Sequence, residues 1–181
     1  MAAARREFEL RGYLETTIEA VAASAGVSAP TVYANFRSKA GLLSELLRNA
    51  GGDADIRGLA AEAMADAEPA SRVASAARVV RTIMEREAGL LRVLADAGRG
   101  RAELDAAWRQ VHDQQRSALR GVLAGLKLRA HLDLDGAVDV FVALACPESY
   151  QLLVGERGWT PARWELWLGE AAVGLLLRPP G

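Results

Sequence analysis

Thr16 to Lys39 reads TTIEAVAASAGVSAPTVYANFRSK, and this stretch decides the fold. Thr16 or Thr17 is placed to cap a helix, and Glu19, three residues after Thr16, completes a capping box and brings negative charge to the first turn. The apolar positions Ile18, Val21, Ala22 and Ala25 keep a three-four spacing, which predicts a short helix. Gly26 follows where a helix end wants a residue that tolerates a left-handed backbone, and Val27 is then expected to turn inward. Ser28 is the cap of the next helix and Pro30 sits in its first turn, where a missing N–H costs nothing. Val32 and Phe36, at i and i+4, are its predicted buried face.

That burial leaves Ala29, Thr31, Tyr33, Ala34 and Asn35 pointing outward on a helix too short to stand alone. Two short helices joined by a tight Gly-containing turn form a helix-turn-helix, whose second helix enters the major groove of DNA. Small residues near its start permit close approach. The Thr31 hydroxyl and the Asn35 amide can bond base edges or phosphate, and Tyr33 can do the same while laying its ring on the backbone. Ser38 caps a further helix whose first N–H groups, with Lys39, form a phosphate seat.

The run GYLETTIEAVAASAGVSAPTVYANFRSKAGLL resembles the DNA-binding head of the tetracycline-repressor (TetR) family of bacterial regulators. The resemblance lies in Gly12-Tyr13, Thr16-Thr17, Ala22, Ala25-Gly26-Val27-Ser28, Thr31-Val32-Tyr33, Phe36 and Ser38-Lys39 at the family's spacing, over about the first quarter of the chain. It implies phosphate contacts by Tyr33 and Lys39 and a cap contact by Thr17. With Ser28, Ala29, Thr31 and Asn35 these make up the candidate DNA-binding set. Ala29 stands where many members carry Lys or Arg, and Ala34 where an aromatic residue or His is common.

Of the 181 residues, 51% are hydrophobic, enough to bury one or two small cores. The single cysteine, Cys146, allows no internal disulfide and suits a reducing cytosol. No 18-residue apolar run and no basic-plus-apolar leader is read, so a soluble, cytoplasmic chain is expected. Net charge is −1; six basic and five acidic side chains fall in the first 50 residues, so positive charge on the head is thin. DNA affinity would then rest on placed contacts more than on a broad basic field.

In chain order, Ala2 to Arg11 predicts a short opening helix anchored by Phe8. Lys39 to Ala50 predicts a connector helix that Gly51-Gly52 stops. The expected division is a helix-turn-helix domain with its connector at 1–50 and a helical ligand-binding and dimerisation domain at 51–181. Asp53 to Ala67 reads as a short helix or an ordered loop. Pro69 opens a helix with Val73, Ala76, Ala77, Val80, Ile83 and Met84 on one face; Gly89 is read as an interruption before a shorter helix from Leu90 to Ala97. A long helix follows from Leu104 to Leu126. Asp133 caps the next, which is expected to break at Pro147, and Thr160-Pro161 opens the last. No alternating strand pattern survives, so the fold class is all-α, a head of three short helices followed by a larger helical bundle.

Little in the chain suggests bond-making chemistry. His112 and His131 lack partners at metal-ligand spacing, and there is neither a phosphate loop nor a nucleophile with a base, so no catalytic residue, metal or cofactor is assigned. Met84, Leu94, Trp108, His112, Phe141 and Tyr150 are the candidate lining of a small-molecule site. The last helix is apolar around most of its circumference and needs two surfaces to cover it. Tyr150, Trp164, Trp167, Leu168, Val173 and Leu176 are therefore the candidate interface of a homodimer. The function expected is a DNA-binding regulator, a repressor released from a palindromic operator by a small-molecule effector. The alternative is a regulator-like helical module that binds small molecules or proteins and has lost DNA binding.

Overall fold

The computed structural model describes residues 1–50, 54–97 and 102–179; the side chains of Ala50, Ala54, Ala106, Ala107, Trp108 and Val111 lie outside that description. Its elements are α1 (Ala2–Glu15), α2 (Ile18–Ala25), α3 (Ala29–Phe36), α4 (Lys39–Ala50), α5 (Ala54–Ala65), α6 (Pro69–Asp96), α7 (Ala102–Leu123), α8 (Leu134–Leu144), α9 (Pro147–Tyr150), a π-helical turn (Gln151–Glu156) and α10 (Pro161–Leu176). Among the described residues the one extended pairing is an isolated bridge between Leu128 and Leu177. The fold is all-α. Two compact units divide the chain, one of Met1–Gly51 with Glu87–His112 and the other of Gly52–Arg86 with Asp113–Gly181.

In the first unit Phe8, Leu42 and Leu43 are buried with Ile18 and Val21. α1 is helical to Arg11, where the sequence ends it, but Gly12 takes φ 71° and ψ 178° and a further turn from Tyr13 to Glu15 follows the kink. A side chain at Gly12 would be strained in that backbone. Thr16 is fully buried, its hydroxyl 2.7 Å from Gly12 O and 3.1 Å from Glu7 O, so it braces the kink and caps nothing. The cap of α2 is Thr17, whose Oγ1 accepts from Ala20 N at 3.1 Å. Glu19 still supplies first-turn charge, but it falls one position early for a capping box with Thr17.

Three further expectations are corrected. Ala25 and Val27 are exposed, because α2 is only two turns long and its buried stripe ends at Ala22. Gly89 does not interrupt α6. It stays helical, and its missing side chain leaves room for the Glu9 carboxylate, which a Cβ would meet at 2.6 Å. α7 stops at Leu123, short of Leu126, and Gly125 follows at φ 76°.

The second unit buries Val73, Ala76 and Ala77 of α6, Ala137, Val138 and Phe141 of α8, and Trp164, Leu168, Ala172 and Leu176 of α10. Gly169 lets α10 close on α6, since a Cβ there would sit 3.4 Å from Ala74 Cα. Asp133 caps α8 by accepting from Gly136 N at 2.7 Å, and Thr160 caps α10 by accepting from Arg163 N at 3.1 Å. α8 ends at Leu144 and Pro147 takes the first position of α9, which is the break its ring demands. Residues 54–65, left between helix and loop by the sequence, form α5, with Ile56 and Ala63 buried two turns apart. Leu134–Glu156 has the length and hydropathy of a membrane span, contrary to the expectation of no 18-residue apolar run. In the structure it is divided among α8, α9 and the π turn, and it places Ala137, Val138 and Phe141 in the unit's core.

Candidate nucleic-acid interface

The site is built on α2, the turn and α3. Gly26 ends α2 at φ 68°, ψ 28°; its N–H bonds Ala23 O at 3.2 Å and the N–H of Val27 bonds Ala22 O at 3.0 Å, which closes the carbonyl end of the helix. Ser28 then starts α3, its Oγ accepting from Thr31 N at 3.3 Å. Only Val32 of α3 is fully buried, while Phe36 is half-buried. Pro30, Thr31, Tyr33, Ala34 and Asn35 are exposed and Ala29 is half-exposed, so one helix face holds the unit and the rest is presented.

The polar groups on that face are partly committed. Ser28 Oγ and Thr31 Oγ1 share a hydrogen bond of 2.8 Å. Asn35 Nδ2 donates one of its two N–H groups to Thr31 O at 2.8 Å, which leaves the second N–H and the Oδ1 acceptor for other partners. The acceptor meets the adenine N6 or cytosine N4 amino group in the major groove, and the two-bond reading of adenine takes the second N–H as well. Tyr33 is 46% exposed.

Lys39 is held otherwise than a free phosphate ligand would be. Its Nζ donates to Tyr13 O at 2.6 Å, Thr16 O at 2.8 Å and Leu14 O at 3.1 Å, and lies 4.5 Å from the centre of the Tyr13 ring. The ammonium has three N–H donors, and all three have acceptors. It clasps the end of α1 to the start of α4. Ser38 caps α4 as expected, accepting from Gly41 N at 3.0 Å.

Residues 1–46 match the family model described as bacterial regulatory proteins, tetR family. The head is similar to that of the tetR family. Beyond the head the likeness is one of fold. The chain superposes on the transcriptional regulator FadR of Bacillus subtilis, solved with stearoyl-CoA, with a TM-score of 0.79 at 18% identity, covering 95% of each chain. It is similar to NalD, the secondary repressor of the MexAB-OprM multidrug efflux pump in Pseudomonas aeruginosa, with a TM-score of 0.76 at 21% identity, over 99% of this chain and 94% of that one. A putative TetR-family transcriptional regulator from Rhodococcus sp. gives 0.76 at 17% identity, over 97% and 95%. No curated protein matches the sequence. The chain has the fold of a tetR-family transcriptional regulator.

In this tetR-family fold the candidate ligand residues fall in both units. Met84, Phe141 and Tyr150 are buried in the second, and Leu94 is buried and His112 half-buried in the first. The Trp108 side chain lies outside the described residues. Tyr150 meets Trp164 edge-on, with ring centres 5.0 Å apart. Burial, with the Glu85 carboxylate adding to it, pushes the Tyr150 phenol above its ordinary range, and the Arg81 guanidinium opposes the shift. The Trp164 indole N–H is buried without a hydrogen-bond partner.

The candidate dimer set divides as well. Trp164, Leu168 and Leu176 have no exposed surface, and Tyr150 has little, because one stripe of α10 faces the unit's own core. They are not available to a partner. Trp167 and Val173 are half-buried, and Leu166, outside the expected set, is 63% exposed. Val173 and Leu166 lie seven residues apart, on one side of the helix.

From the sequence Arg37, like Arg5 and Arg6, reads equally as a phosphate contact or as a solvated surface charge. The positions three and four residues either side of it, Tyr33, Ala34, Ala40 and Gly41, carry no acid to pair with.

Proposed function

We propose that this chain is a dimeric transcriptional regulator that binds a palindromic operator through α3 and releases it when a small molecule occupies the body. The supporting observation is α3 itself: capped by Ser28, anchored by Val32, and otherwise exposed from Pro30 to Asn35. A helix held on one side and carrying hydroxyl, phenol and amide groups on the other suits a major groove. On this reading residues 1–50 are the DNA-binding domain and 51–181 the ligand-binding and dimerisation domain. The protein is a cytoplasmic repressor with no catalytic role.

Two heads related by a two-fold axis would dock in successive major grooves about 34–36 Å apart. The outer side of α10, around Leu166 and Val173, is the proposed dimer face. An effector that binds better to a conformer with misplaced heads weakens DNA binding by that difference in affinity. The FadR structure is a complex with stearoyl-CoA, which makes long-chain acyl-CoA the first effector to try. The test is a mobility shift on the DNA flanking the protein's own gene, run across a salt series with and without acyl-CoA. A retarded band that weakens with salt and competes poorly with random DNA supports the reading. Absence of retardation at low salt would favour the module that has lost DNA binding.

A further inference from the structure

The thin positive charge of the head becomes thinner when its partners are counted. Of the six basic side chains in the first 50 residues, Arg5 pairs with Glu87 at 2.6 Å and Glu9 at 3.5 Å, Arg11 with Glu7 at 3.0 Å, and Arg48 with Glu45. Arg6 donates to Ser24 Oγ at 2.5 Å, and the Lys39 ammonium is engaged with three carbonyls. Among the described residues Arg37 is the one basic side chain of the head with no protein partner, and it is exposed.

Its backbone is as unusual as its freedom. Arg37 has φ 65° and ψ −37°, the one positive φ outside glycine among the described residues. Ser38 N bonds Phe36 O at 2.7 Å across it, which makes the α3–α4 corner a γ-turn centred on an arginine. The corner is also compressed. Gly41, in the first turn of α4, faces the Phe36 carbonyl oxygen, and a Cβ there would overlap it. Glycine is thus used where α4 passes the end of α3, yet the residue that must adopt the left-handed backbone is an arginine. A glycine at 37 would adopt that backbone without strain. Side chains held in such regions cluster where the group does something the fold does not need.

Resting on the reading that the head binds DNA, we infer that Arg37 is the head's principal phosphate-binding cation, held in a strained corner next to the recognition helix. The ligand it takes is the sugar-phosphate backbone of duplex DNA, met by a guanidinium that no carboxylate of the protein neutralises.

The test uses the full-length protein and a fluorescein-labelled mixed-sequence duplex, with anisotropy measured across a salt series and thermal unfolding of each variant. Arg37→Gly should raise the melting temperature while reducing the slope of log K against log salt by roughly 0.9 per subunit, one phosphate's share. Arg37→Gln should lower the slope by the same amount and leave the melting temperature unchanged. Arg37→Lys should keep the slope, and so should Arg48→Gln, whose cation Glu45 already neutralises. An unchanged slope in Arg37→Gly and Arg37→Gln overturns the phosphate role. An equal fall in Arg48→Gln assigns the effect to bulk charge and overturns it too, and a lower melting temperature in Arg37→Gly overturns the strained corner. Failure of the wild-type protein to bind the duplex at low salt would instead sink the DNA reading itself.

Discussion

Replacing Lys39 with Met should destabilise the head without altering how it meets DNA. Met keeps most of the stem's apolar bulk and removes the charge. Three carbonyls then lose their donor, those of Tyr13 and Thr16 part-buried and that of Leu14 exposed enough for water to replace it. A hydrogen bond to a charged group contributes about 1.5 kcal/mol at the low end, so the two part-buried carbonyls account for about 3 kcal/mol. The Tyr13 ring adds about 0.5 kcal/mol. Releasing the ordered side chain returns about 1.5 kcal/mol of entropy, which leaves a net loss of about 2 kcal/mol. That is a substantial fraction of an ordinary domain's stability. Urea unfolding followed by far-ultraviolet circular dichroism reads it directly. Lys39→Arg should recover little, because a planar fork does not match three converging carbonyls. The salt slope of DNA binding by folded Lys39→Met should equal that of the wild type. A loss of stability below about 0.5 kcal/mol, the scale of an exposed pair, combined with a slope reduced by about one, would refute the clasp and return Lys39 to the phosphate.

Asn35→Ala should cost about 1 kcal/mol of discrimination, roughly five-fold, at one base position, and leave binding to random DNA unchanged; equal specificity ratios would remove Asn35 from base readout. In the proposed dimer, Val173→Glu and Leu166→Glu would each place two charges in a two-fold interface, a penalty of several kcal/mol, and should give monomers in sedimentation. An intact dimer in both variants would put the interface elsewhere than the outer side of α10. Because the folded state favours the neutral Tyr150 phenol, its contribution is complete below the unfolded value near pH 10 and is lost as pH rises through the higher folded value. Tyr150→Phe should therefore flatten the alkaline limb of the stability profile, and coincident limbs for the two proteins would contradict its burial.

Local features are legible in the residues alone. Caps at Thr17, Ser28, Asp133 and Thr160, the left-handed Gly26 and the break before Pro147 depend on residues within a turn of one another, and each is found in the structure. The all-α class followed from the same short-range periods. Only tertiary structure decided which stripe of α10 is covered, since its circumference is apolar on most sides and the burial of Trp164, Leu168 and Leu176 depends on helices distant in the chain. The same holds for Gly89, which reads as a helix stop until Glu9 is seen against it, and for Thr16, which reads as a cap until Glu7 and Gly12 are found around its hydroxyl. Lys39 and Arg37 differ for the same reason. Both are cations beside the recognition helix, but a flexible ammonium goes to whichever acceptors converge on it, and those three carbonyls are brought together only by the fold around the Gly12 kink.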